Sequence, residues 1–89
     1  MVSERVTGVV SILKKNVSDG VIPKYERFAL LDFINDFAEK NGLNGNNRED
    51  ARLIASAIDE LINEGKVEAD GKIHFFGSQK PLYDNIRFI

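Results

Sequence analysis

The sequence contains few side chains that could catalyse a reaction. It has no cysteine, and His74 is its single histidine. It shows no Ser-His-Asp set and no glycine-rich phosphate loop before a helix, so neither nucleophilic catalysis nor nucleotide chemistry is indicated. The carboxylates of Asp59 and Glu60 fall on the polar face of a predicted helix, with no sign of a pocket. We therefore predict that the protein is not an enzyme and that it holds no metal and no cofactor.

Acidic residues slightly outnumber basic residues in the sequence. Twelve lysines and arginines stand against 14 aspartates and glutamates, which gives a net charge of −2 and a pI near 5.3. Non-specific nucleic-acid binding needs a positive field, so a nucleic-acid partner would require a local basic patch. With 89 residues, 43% of them hydrophobic and 29% charged, the chain has the composition of one small globular domain.

Nothing in the sequence predicts a membrane partner. No apolar run approaches the ~20 residues that a membrane span needs. The start of the chain has Glu4 beside Arg5 and no long apolar segment, so we expect no signal peptide. The absence of cysteine suits a reducing compartment. We therefore expect a cytoplasmic protein.

The first half of the chain predicts two helices with a short strand between them. Apolar residues at helical spacing predict the first helix over Ser3–Val17 and the second over about Lys24–Asn41. Gly42 is a typical residue for the end of the second helix. Pro23 keeps the residue before it out of the α region, so a very short strand is expected at Val21–Ile22.

A third helix is predicted from Arg48 to about Glu64. Asn46 or Asn47 can provide its N-cap, and Gly65 follows its last turn. Apolar residues recur along one side of this helix at the spacing of a buried face. These core residues are Ala51, Ile54, Ala55, Ile58, Leu61 and Ile62.

A β-hairpin is predicted over Lys66–Phe76. A two-residue turn at Asp70-Gly71 would mix the apolar and polar faces of its strands. A three-residue turn that begins at Ala69 instead places Val67 opposite Ile73 and brings opposite charges together. We favour this second turn, which needs a left-handed Gly71 as a G1 bulge. Val67, Ile73 and Phe75 would then face inward, and Lys66, Lys72 and His74 would face outward.

The end of the chain is apolar and should be buried. We expect residues 1–77 to form one domain and residues 78–89 to form an apolar tail, either as a short helix or as a third strand. Such a tail should pack on its own domain or on a dimer partner. The predicted fold class is α+β and mainly α.

This order of elements resembles the winged helix-turn-helix family. The strongest match is the stretch AIDELINEGKVEADGKIHFF, in which a Leu-rich helix end is followed by Glu64-Gly65, the aliphatic Val67 and a hairpin. Gly42-Leu43 stands where the family often has a glycine and an aliphatic residue between its second and third helices. The resemblance covers about Val6–Gly77 and implies three helices with a C-terminal β-hairpin wing.

The resemblance also implies binding of duplex DNA by a homodimer that regulates transcription. In this family the third helix enters the major groove by its N-terminal end, and the wing touches the backbone or the minor groove. Arginine and asparagine can read guanine and adenine, and lysine neutralises phosphate. Carried over by position, the DNA-binding residues are Asn46, Asn47, Arg48, Arg52 and Ser56 on the helix, and Lys66, Lys72 and His74 on the wing.

An acidic protein-interaction module is the alternative function. From Arg48 to Glu64 two arginines stand against five acidic residues, and Asp32, Asp36 and Glu39 form an acidic strip on the second helix. These carboxylates would repel phosphate if they lay near DNA. A protein partner would then bind the acidic strip or the tail. A small viral or plasmid protein that acts on a host machine fits the length.

Overall fold

The computed structural model describes residues 4–70, 73–74, 81–82 and 84–89, with the backbone alone at 73–74 and 81–82. The fold is α+β and mainly α, as predicted. No helix within these ranges combines the length and the apolar character needed to cross a membrane. In chain order the elements are α1 (Glu4–Ser18), β1 (Arg27–Ala29), α2 (Leu30–Lys40), α3 (Arg48–Asn63), β2 (Val67–Asp70), β3 (Ile73–His74), β4 (Pro81–Leu82) and β5 (Asn85–Phe88).

The core lies between the three helices and the inner face of a small antiparallel sheet. Both α1 and α2 pack on α3, and α3 leads directly into β2. The third helix begins at the predicted residue, and Gly65 follows it with a φ of +76°, a conformation that glycine adopts without strain. The largest enclosed side chains are Leu13, Ile34, Ile54, Leu61, Ile86 and Phe88.

The second helix begins later than predicted, at Leu30 rather than Lys24. Tyr25 has a φ of +66°, which no residue inside a right-handed helix can adopt. Its N–H donates to the carbonyl of Phe88 at 2.6 Å, which ties this turn to the last strand. Residues Arg27–Ala29 then extend as β1. Pairing with a distant strand has overridden the local helical spacing here.

The short strand predicted at Val21–Ile22 is also wrong. The N–H groups of Val21 and Ile22 both donate to the carbonyl of Asn16, at 2.9 and 3.1 Å. These donors therefore close the end of α1 instead of forming a strand ladder. The strand between the first two helices exists, but it lies at Arg27–Ala29.

The predicted hairpin register is wrong as well. Val67 lies opposite Phe88 and not opposite Ile73, and Glu68 lies opposite Arg87. Pairing with β5 places the apolar residues of both strands on the inner face, and this burial outweighs the local turn preference of Asp70-Gly71. The predicted left-handed Gly71 and the predicted position of Lys72 lie outside the described residues.

The described strands form two antiparallel sheets. The three-stranded sheet has the order β1-β5-β2, and β3 pairs with β4 in a two-stranded sheet. Asp70 lies opposite Asn85 in the first sheet, and Ile73 lies opposite Leu82 in the second. The residue numbers of both pairs follow the same register.

The end of the chain supplies the central strand. Ile86 and Phe88 are buried, and the alternative of a short helix for this segment is wrong because β5 pairs on both sides. The Phe88 ring lies 5.3 Å from Phe33 and 6.4 Å from Phe28, measured between centroids. This aromatic cluster joins the last strand to β1 and α2.

Candidate nucleic-acid interface

The start of α3 is fixed by the side chains of the loop that precedes it. The Asn47 side-chain oxygen accepts from the N–H groups of Glu49 at 2.8 Å and Asp50 at 3.1 Å, which makes Asn47 the N-cap. The Asn44 side-chain oxygen accepts from the Asn46 N–H at 2.9 Å. The Asp50 carboxylate accepts from the Asn44 N–H at 2.9 Å. Three of these hydrogen bonds hold the loop against the helix, and the fourth, between Asn46 and Asn44, lies within the loop.

The same loop is seated on α2. The N–H of Leu43 donates to the carbonyl of Ala38 at 2.8 Å, and Gly42 before it has a φ of +72°. This is the chain reversal expected after a helix that ends in glycine. Gly45 then passes directly over Asn35, where a Cβ would come within 2.9 Å of the Asn35 Cα. The loop before α3 therefore packs closely on the backbone of α2 at this point.

Three of the predicted DNA-binding side chains form one exposed stripe. Arg48, Arg52 and Ser56 are all exposed on α3. Their spacing of four residues places them on one side of the helix. Asn46 and Asn47 are exposed just before the first turn. The structure therefore brings five predicted residues together at the N-terminal half of α3.

Two acidic residues lie in the first turn of this helix. Glu49 is exposed, but Asp50 is half-buried. Asp50 accepts from the loop, and one of its oxygens also lies 3.9 Å from the Arg5 guanidinium on α1. Asp50 is therefore already compensated, and Glu49 is the carboxylate that most reduces the positive charge beside Arg48 and Arg52.

Lys66 lies at the opposite end of α3. The helix has 16 residues and is therefore about 24 Å long, so Lys66 is far from the Arg48 end. It lines a groove with Lys14 and Lys24 between α1 and the last strand. Lys14 in turn pairs with Glu64 at 2.9 Å. Lys66 does not join the stripe on α3.

The structure describes little of the two other predicted wing residues, Lys72 and His74. Lys72 lies outside the described residues. For His74 the backbone is described, and it pairs with Pro81 in the two-stranded sheet of β3 and β4. The outer face of the three-stranded sheet carries two ion pairs, Arg27 with Asp70 at 3.0 Å and Arg87 with Glu68. The positive charges of this face are therefore compensated.

A groove that the sequence did not predict lies beside β1. It has a volume of about 380 Å³ and lies between β1, α2 and the bend at Val21–Pro23. It was missed because β1 was assigned to a helix. A signal was present, since Tyr25 and Phe28 both fall off the apolar face of that predicted helix. The Phe28 ring turns out to pack on Phe33 and Phe88, whereas Tyr25 is 70% exposed.

Among the side chains that the structure describes, no polar or charged one is buried, and no three of His, Asp or Glu meet as a metal site. Comparison of the chain with protein-family models, with curated proteins and with solved structures finds no match.

Proposed function

We propose that the protein is a winged-helix DNA-binding protein that regulates transcription. The observation that carries this proposal is the exposed stripe of Arg48, Arg52 and Ser56 on the first half of a rigidly capped helix. The topology supports it, because a strand between the first two helices pairs with a hairpin that follows the third. In this function the N-terminal end of α3 enters the major groove.

The hydrogen bonds at the start of α3 give the two asparagines different roles, Asn47 as the helix cap and Asn46 as the candidate for base recognition. Bidentate recognition of adenine requires both the oxygen and the nitrogen of an asparagine side chain. The Asn47 oxygen already accepts two helix N–H groups, so Asn47 retains only its amide donors. Asn46 uses its backbone N–H in the loop and keeps its side-chain amide for a base. Arg48 and Arg52 would contact guanine or phosphate.

The proposed DNA-binding form is a homodimer. One copy presents two arginines at this surface beside one exposed glutamate, which is little positive charge for a polyanion. A second copy doubles the contacts and raises the affinity through effective concentration. The DNA site would then have two related half-sites about one helical turn apart.

The test compares two variants that remove the same charge from opposite ends of α3. A pool of random duplexes is first enriched on the wild-type chain at low salt. Arg52→Ala should then lower affinity for the enriched duplex by roughly tenfold, because one contact is worth about 1–3 kcal/mol, and should reduce the salt slope by about 1. Lys66→Ala is the matched control and should leave both unchanged. Equal losses in the two variants, or no enrichment at all, would refute the proposed surface.

The wing is tested by a separate comparison. If Lys72 contacts phosphate, combining Lys72→Ala with Arg52→Ala should lower the salt slope by about one further unit. No further change would restrict DNA contact to the α3 end.

A protein-interaction module is the second candidate, and the surface of α2 favours it. Asp32, Asp36 and Glu39 are exposed there, whereas the apolar tail residues Ile86 and Phe88 are taken up in the core. Of the two surfaces considered for a protein partner, the acidic strip is therefore the one that remains accessible. Failure to bind duplex DNA at low salt, together with a stable complex with a purified protein partner, would support it over DNA binding.

A further inference from the structure

The strand β1 has an open edge. Among the strands that the structure describes, it pairs with β5 alone and is the outer strand of its sheet. The Leu30 N–H donates to the Asp84 carbonyl at 2.9 Å, so Phe28, two residues earlier, also directs its backbone groups toward β5. The N–H and C=O groups of Arg27 and the N–H of Ala29 therefore point away from the sheet, whereas the Ala29 C=O, at the N-cap of α2, accepts the first hydrogen bond of that helix. Such groups are a template for a further strand.

The groove beside β1 follows this open edge. Its floor is apolar and aromatic, and Val21, which is 59% exposed, stands at its rim. The volume of about 380 Å³ is enough for one or two large side chains of a partner. The apolar lining residues are Ile22, Phe28, Phe33 and Phe37. An added strand would therefore find a pocket for its side chains next to its backbone partners.

The charges at the groove favour a basic partner. Lys40 is compensated by Asp36 at 3.1 Å, and Arg27 by Asp70 at 3.0 Å. Asp32 also lines the groove, and it has no ion-pair partner in the part of the chain that the structure describes. The uncompensated charge is thus negative. A second copy of this chain would bring another acidic groove to the same place, which like-charge repulsion disfavours.

We propose that the open edge of β1 and the adjoining groove bind an extended, basic segment of a partner protein as an added strand. The segment's backbone pairs with Arg27 and Ala29. Its apolar side chains, which alternate along a strand, enter the groove, and a lysine or arginine meets Asp32. This proposal rests on the second candidate function and does not depend on DNA binding.

The experiment uses short random peptides displayed on phage and selected against the purified chain. Selected peptides should carry alternating apolar residues and at least one lysine or arginine. Ala29→Pro should weaken their binding by about tenfold or more, because it removes an outward N–H. Ala29 has a φ of −67°, which proline adopts, so the fold should persist. Ala29→Ser keeps the N–H and is the matched control.

Two further measurements locate the peptide-binding site without relying on the Ala29→Pro variant. Amide hydrogen exchange on the wild-type chain should become slower at Arg27 and Ala29 when a selected peptide is added. Asp32→Asn should weaken binding by roughly threefold at low salt and less at high salt, because salt screens an exposed charge. Arg52→Ala should leave peptide binding unchanged.

The negative outcomes distinguish a failure of the proposed site at the edge of β1 from a failure of the protein-interaction function as a whole. Peptides that bind equally well to wild type, Ala29→Pro and Asp32→Asn would overturn the proposed site while retaining a protein-interaction function. The absence of any selected peptide would overturn the proposed site and also count against that function.

Discussion

Gly45 lies directly against the backbone of Asn35. A Cβ added to Gly45 would come within 2.9 Å of the Asn35 Cα, a distance that real side chains essentially never show. The φ of Gly45 is not positive, so the glycine is required by space and not by an unusual backbone conformation. This contact joins the loop before α3 to the middle of α2, and it therefore restrains the loop from which α3 begins.

Gly45→Ala should destabilise the protein by about 1–3 kcal/mol, because the loop must shift away from α2 to admit the methyl group. Urea denaturation measures the loss. Gly8→Ala is the matched control. Gly8 lies in α1 with nothing within 4 Å of an added Cβ. In that open helical position alanine should stabilise by about 0.5–1 kcal/mol. Equal effects of the two substitutions would contradict the packing described for Gly45.

The two asparagines before α3 should separate stability from DNA binding. Asn47→Ala removes the N-cap and should cost about 1 kcal/mol in thermal or urea denaturation, whereas Asn47→Asp preserves the acceptor and should cost less. Asn46→Ala should leave stability nearly unchanged but lower affinity for an enriched duplex. A stability loss at Asn46 as large as that at Asn47 would show that the assignment of the cap is wrong.

Phe88→Ala should be the most damaging substitution in the last strand. The side chain is 2% exposed and packs on Phe28 and Phe33, so its loss should cost about 3–5 kcal/mol. Ile89→Ala, at a half-buried position next to it, should cost much less. Chemical denaturation of both variants makes the comparison. Similar stabilities would mean that β5 contributes little to the core.

The exposed ion pair between Glu68 and Arg87 should contribute little. These residues face each other across β2 and β5, and their side chains are 54% and 43% exposed. A double-mutant cycle with alanine at both positions should give a coupling energy below about 1 kcal/mol that shrinks as salt is added. A larger coupling that persists in high salt would indicate a pair shielded from solvent.

The sequence predicted α3 well because its signals are local. The apolar spacing, the N-cap at Asn47 and the glycine at position 65 all lie within or beside the helix. The strands were harder to predict, since β1 pairs with residues 56 to 60 positions away, from Ala29↔Asn85 to Arg27↔Arg87, and periodicity within one segment does not reveal such pairs. The turn residues Asp70-Gly71 were misleading for the same reason.

The candidate DNA-binding surface was predicted in part. Asn46, Asn47, Arg48, Arg52 and Ser56 come together because they belong to one helix and the residues just before it. The sequence placed the start of this helix at Arg48 and left its cap open between Asn46 and Asn47, of which Asn47 is the cap. Lys66 was assigned to the same surface only through the expected wing, and the length of α3 separates it from that surface. The groove beside β1 could not be predicted, since it exists only once β1 is a strand.

The central position of β5 also determines when the sheet can form during synthesis. Among the described strands, β1 and β2 do not pair with each other, and both are hydrogen-bonded to β5. Until residues 85–88 have emerged from the ribosome, β1 and β2 therefore lack the strand with which both of them pair. Formation of this sheet depends on contacts between residues far apart in the sequence, which is a property of slowly folding topologies.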